Sequence, residues 1–180
     1  MPETKAAKHA GPKHHQAKDL RRAYEHLGRV EAIQQTLPPS SQNDIHTLVT
    51  LAEKELNGAH NKDAADLLRA AEHLSFAALA ETDTKKPKLS EQLETAITEE
   101  LEHLTRKAGE HWDNEEESER HLTVTALFHR SLEASAKALS HRAYWQALEL
   151  ARAAEALAHV KKHGPDQLES GTNHPKLPKP

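Results

Sequence analysis

Apolar residues recur at spacings of three and four in six separate stretches of this 180-residue chain, and that is the period of an amphipathic helix. Leu20, Ala23, Leu27, Val30 and Ile33 form the first stripe, with Asp19 as the expected N-cap and an end at Leu37. Pro38 and Pro39 follow; they lack a donor and push the preceding residue toward extended geometry. Ile45, Leu48, Val49, Ala52 and Leu56 form the second stripe. Ser41, with Asp44 three positions on, resembles a capping box for it, and Asn57-Gly58 breaks it. The third carries Ala64, Leu67, Leu68, Ala71, Leu74 and Ala78, and ends near Ala80.

Ser90 is placed to cap a fourth helix bearing Leu93, Ile97, Leu101, Leu104 and Ala108. Asp113 or Asn114 would cap a fifth, through Val124, Leu127, Phe128, Leu132, Ala136 and Leu139. Glu115, Glu116 and Glu117 then fall in its first turn, where the positive end of the helix dipole favours acids. The sixth runs through Ala143, Ala147, Leu150, Ala151, Ala154, Leu157 and Ala158, and Gly164-Pro165 stops it.

A repeat runs through these stripes. At an offset of 83, His46 meets His129, Lys54 meets Lys137 and Leu56 meets Leu139. The segment RAAE at Arg69, Ala70, Ala71 and Glu72 meets Arg152, Ala153, Ala154 and Glu155, with Leu74 on Leu157. The first and fourth helices overlay at a different offset, 77, where EHLGR of residues 25–29 meets EHLTR of residues 102–106. A three-helix unit of this size buries little alone, and two packed together share a core. The expected fold is therefore all-α: a six-helix antiparallel bundle built from two duplicated three-helix units, with disordered tails at both ends. Residues 1–16 are a basic tail, 17–82 the first repeat, 83–89 a linker, 90–163 the second repeat and 164–180 a tail.

Composition agrees and narrows the function. Aromatic residues are 3% of the chain, so the β-branched and aromatic excess of a sheet protein is missing. There is no Cys, which excludes disulfides, thiolate metal sites and Cys nucleophiles. No apolar run approaches the roughly 20 residues of a spanning helix, and the N-terminus lacks the apolar core of a secretory signal. A cytoplasmic protein with no membrane contact is the expectation. The net charge is −4; residues 1–22 hold +4 and residues 161–180 hold +2, which leaves −10 on residues 23–160. An acidic body is a poor phosphate platform, so no nucleic acid is expected.

Fifteen His residues stand out. His26, His46, His103 and His129 fall in repeat-matched pairs and are the candidate metal ligands, set against a plainer role as helix-end or interhelix hydrogen-bonding groups. Glu-x-x-His of the di-iron bundles occurs at Glu100 and His103, but Glu100 overlays Ala23 in the other half, so the set is incomplete. Arg69 with Glu72 and Arg152 with Glu155 are spaced for local ion pairs; a second arrangement sends each Arg across to the opposite half. Tyr144 and Trp145 overlay polar Asn61 and Lys62, which marks them as contact aromatics or as plugs at the bundle end.

LEASAKALSHRAYWQALELARAAEAL, with Tyr144, Ala147, Ala151 and Ala154, resembles a tetratricopeptide-like hairpin, although its copies recur at an offset of 83 where that family has a period of 34. The same stretch and LAEKELNGAHNKDAADLLRAAEHLSFAAL resemble HEPN-type bundles, which carry A-A-E late in the second helix of a hairpin. That resemblance implies ribonuclease activity through Arg-x4-His, which stands at Arg21 to His26 and at Arg106 to His111. No P-loop, nucleophile elbow, dinucleotide loop or HExxH motif is present. The leading expectation is a non-enzymatic helical bundle with no cofactor. It would act through contacts with a protein partner or with itself, at Tyr144, Trp145, Arg69, Glu72, Arg152 and Glu155. A His-rich metal-binding bundle and a HEPN-like ribonuclease are the alternatives.

Overall fold

Six stripes become six helices. The computed structural model describes residues 12–83, 88–112 and 119–160. The helices are α1 (Pro12–Gln34), α2 (Pro39–Asn57), α3 (Asn61–Thr82), α4 (Glu91–His111), α5 (Glu119–Ser140) and α6 (Tyr144–Ala158). Among the described residues there is no strand, and no helix is long and apolar enough to cross a membrane.

Several boundaries differ from the expected ones, for reasons of backbone chemistry. Pro12 opens α1, where its missing N–H is one that the first turn leaves unpaired anyway. Asp19, expected as the N-cap, therefore lies inside the helix, and residues 12–16, expected in the tail, are helical. The chain leaves α1 at Gln34, and the Thr36 N–H closes a turn onto the Ile33 carbonyl at 2.9 Å. Pro39 opens α2 two residues ahead of Ser41, and no side chain caps it; the fixed proline φ takes the place of the expected capping box. Ser90 does cap α4, its hydroxyl accepting from the Leu93 N–H at 3.4 Å. The expected cap of α5 at Asp113 or Asn114, the acids at 115–117, most of the linker, and the Gly164-Pro165 stop lie outside the described residues.

α3 and α6 form the middle of the molecule. α1 and α2 pack on α3, α4 and α5 pack on α6, and α3 packs on α6. Lys62 lies beside His159, Arg69 beside Glu155 and His73 beside Glu149, so α3 and α6 run antiparallel. The stripe residues supply two buried clusters. One gathers Val30, Ile45, Leu48, Leu67, Leu68, Leu127, Phe128 and Leu157, the other Ile97, Leu101, Leu104, Leu148 and Leu150, and half-buried Leu74 packs against both. Ala70, Ala71, Ala153 and Ala154, all at 0% exposure, replace larger side chains where the central helices are enclosed.

The turns between α2 and α3 and between α5 and α6 correspond bond for bond. His60 N–H reaches the Glu55 carbonyl at 2.9 Å, and Ala143 N–H, at the matching place in the second half, reaches the Ala138 carbonyl at 2.9 Å. Inside those loops, Ala59 N–H bonds the Leu56 carbonyl and Arg142 N–H the Leu139 carbonyl. This is the Schellman pattern, and Ala59 and Arg142 hold its left-handed position with φ 60° and 57°.

α1 and α4 correspond too, but one position away from the sequence overlay. Ala23 and Val30 are buried, and at an offset of 78 so are Leu101 and Ala108; at 77 they would meet Glu100 and Lys107, which are not. The EHLGR and EHLTR segments thus occupy different faces of their helices. Burial, acting through the central helices, sets the register.

Candidate functional site at the seam between the halves

Charged side chains run along one side of the α3–α6 seam, and α1 and α4 reach it from either flank. Glu72 accepts from Arg29 Nη1 of α1 at 3.1 Å and pairs with His26 Nδ1 of the same helix. Glu155, its counterpart in the second half, accepts from Lys107 Nζ of α4 at 2.8 Å, from Arg69 Nη2 of α3 at 2.9 Å, and pairs with His159 Nε2 at 2.9 Å. Each glutamate is only 5% exposed. Arg29 and Lys107 hold equivalent places on α1 and α4, so the two halves repeat one device: a cation from the flanking helix neutralises a carboxylate of the central one.

Arg69 and Arg152 depart from the expected local pairs with Glu72 and Glu155. A helical side chain leans toward the N-terminus of its helix, so each Arg reaches back to the acid three residues before it. Arg69 lies 3.8 Å from Asp66, and Arg152 Nη1 donates to Glu149 at 2.8 Å. Of the two arginines, Arg69 crosses to the other half and Arg152 stays on α6. A second tie across the seam, His73 Nδ1 to Glu149 at 2.7 Å, had no local spacing to announce it.

Burial raises the Glu155 pKa, but Lys107, Arg69 and His159 outweigh it, and its carboxyl is held at about 2. Burial likewise raises that of Glu149, against His73 and Arg152, and the net shift is downward. Both acids stay ionised through the ordinary pH range, and the seam acts as a network of carboxylates tied to cations from four helices, α1, α3, α4 and α6.

The candidate metal ligands are placed apart. His26 is taken up by Glu72 on α1, His46 is exposed on α2, His103 contacts Arg106 at 3.1 Å on α4, and His129 meets the edges of Trp112 and Phe128 on α5. Among the described residues no three His, Asp or Glu side chains converge on a common point suited to a metal ion. At the Arg-x4-His spacings, Arg21 pairs with Glu25 and Arg106 with Glu110, while His111 lies against His159 with ring centroids 4.5 Å apart.

Tyr144 and Trp145 separate in role. Tyr144 is half-buried against the second core cluster and lies near Glu94 of α4; desolvation first, then that carboxylate, raise its pKa. Trp145 is 46% exposed. It stands one turn before Glu149 on α6, and Phe76, 36% exposed, stands one turn after His73 on α3. Since His73 touches Glu149, those spacings bring the two aromatics to the same side of the antiparallel seam. Phe76 escaped the sequence reading because it sits one position before the Ala77 and Ala78 of the buried stripe.

On the other side of the seam, α2 and α5 leave a cleft of about 520 Å³ floored by Leu74, Ala77, Ala78 and Leu150. It continues into a second of about 370 Å³ that shares Asp44, Leu74, Ala134, Lys137 and Leu150. Arg130 of α5 reaches Asp44 of α2 at 3.2 Å across it. Comparison with family models, with curated proteins and with solved structures finds no match.

Proposed function

We propose that the protein is a non-enzymatic helical bundle that acts by holding a protein partner on the exposed end of its α3–α6 seam. One observation carries this reading: Phe76 and Trp145, two of only six aromatic residues of the Phe, Trp and Tyr types in the chain, stand exposed on the same side of that seam. Large, rigid aromatic side chains contribute most where they anchor an interface. The charged pairs behind them, Arg69 with Glu155 and His73 with Glu149, support the reading as a frame that fixes the two central helices relative to each other, with Glu72 tying α1 to α3 and Arg152 holding Glu149 on α6. Tyr144, half-buried against the second core cluster, supports α6 in that frame instead of meeting the partner. A cytoplasmic location belongs to the same reading and rests on composition.

The test begins with a partner captured by the wild-type chain, purified, and titrated in a binary measurement. Trp145→Ser and Phe76→Ser should each weaken that complex at least tenfold while circular dichroism and melting stay unchanged. Equal affinity in both variants would rule the surface out.

A further inference from the structure

α1 carries a second exposed apolar strip, independent of the seam. Ala17, Leu20, Tyr24 and Gly28 follow at spacings of three and four, on a side of the helix turned away from the buried Ala23 and Val30. All four are exposed, Leu20 at 37% and Tyr24 at 59%. The space over Gly28 is open: a Cβ placed there would meet nothing within 4 Å. α1 packs on α3 and only grazes α2, which leaves this side uncovered by the described residues.

We propose that this strip binds a second copy of the same chain, α1 against α1, antiparallel about Tyr24. Three features select that occupant. Antiparallel pairing about Tyr24 seats Leu20 of each copy over Gly28 of the other, so the largest aliphatic side chain of the strip enters the one place on it that has no side chain. Exposed charges along α1 are divided the same way: Lys18, Arg21 and Arg22 precede Tyr24, Glu25 and Glu31 follow it, and the exposed Arg29 that also follows is tied to Glu72 of α3. Antiparallel pairing therefore sets the basic half of one helix beside the acidic half of the other, twice, and parallel pairing would set like against like. The contact is its own twofold, so it closes at a dimer and cannot propagate.

Sedimentation velocity from low micromolar to millimolar concentration tests this. The wild-type chain should pass from monomer to dimer, and the midpoint should rise with salt as the charge contribution is screened. Tyr24→Glu, an exposed change that leaves the helix intact, should shift the midpoint at least tenfold upward. Lys18→Glu and Glu31→Lys should each weaken the dimer, and the two together should restore most of it, because the antiparallel register brings Lys18 of one copy near Glu31 of the other, and the two stand too far apart along one helix to pair within a copy. A chain that stays monomeric throughout overturns the proposal, as does a Tyr24→Glu variant that dimerises like the wild type. Failure of the double swap to recover the dimer overturns the antiparallel register. None of these changes touches Trp145 or Phe76, so binding of a partner at the seam serves as a control that the fold is intact.

Discussion

Ala59 and Arg142 hold a left-handed backbone, φ 60° and 57°, at matching places in two matching turns. A Cβ in that conformation crowds the following carbonyl and costs about 1 kcal/mol, which glycine avoids. The nearest glycine, Gly58, comes one residue too early and sits at φ −82°, where its freedom is unused. Ala59→Gly and Arg142→Gly should each raise stability by about 0.5–1 kcal/mol in urea denaturation, net of glycine's extra entropy in the unfolded chain. The turns lie at opposite ends of the antiparallel α3–α6 pair, so the two gains should add. Asn57-Gly58 marks the break in the sequence, but which residue turns left-handed depends on the two Schellman bonds. The charged residues follow the same logic. RAAE reads locally as an ion pair on a helix surface, yet Glu72 and Glu155 are buried and take cations from other helices, a choice made by tertiary packing that no local spacing encodes.

At the scale of the helix, the stripes were legible because burying one face leaves a period that survives in the sequence. All six helices follow from it, and their ends shift where Pro12 and Pro39 start a helix earlier than a capping residue would. The register between helices was less legible. EHLGR and EHLTR match almost letter for letter at 77, but the buried residues of α1 and α4 match at 78, since identity of polar residues says little about which face is enclosed. The alanines make a sharper statement. Ala71 and Ala154 are fully buried at equivalent places on α3 and α6, and a leucine there has no room unless helices part. Ala71→Leu and Ala154→Leu should each destabilise the protein by about 1–3 kcal/mol, read from the denaturant midpoint at unchanged slope. Tolerance at either position would mean that the helices do not approach as closely as the burial implies.

At the scale of the whole molecule the two halves are joined chiefly where α3 packs on α6, and the charged side of that seam ties stability to pH. Glu155 has its carboxyl at about 2, against 4.5 for an unperturbed glutamate. A carboxylate whose folded pKa is depressed contributes stability that is complete above its unfolded pKa and is lost as pH falls through the folded one. Glu155 therefore contributes fully above about pH 4.5, and its contribution drains away between there and about pH 2. Glu149, shifted in the same direction, adds to the loss. The cations around Glu155 are themselves partly in water, with Lys107 40% and Arg69 31% exposed, and screening there reduces the contribution to about 1–2 kcal/mol. Unfolding free energy measured in urea should be flat from neutral pH to about 5 as far as these two groups govern it, then fall. Glu155→Gln should lower stability at neutral pH by about 1–3 kcal/mol, because Lys107 and Arg69 lose the charged acceptor that a buried carboxylate gives them, and should flatten the acid limb. Among the described residues Arg69 is the one cation reaching Glu155 from the other half, so Arg69→Gln should reduce the same acid limb by loosening α3 from α6. An acid limb that keeps its slope in both variants would place the pH dependence elsewhere in the molecule and sever it from the joint between the halves.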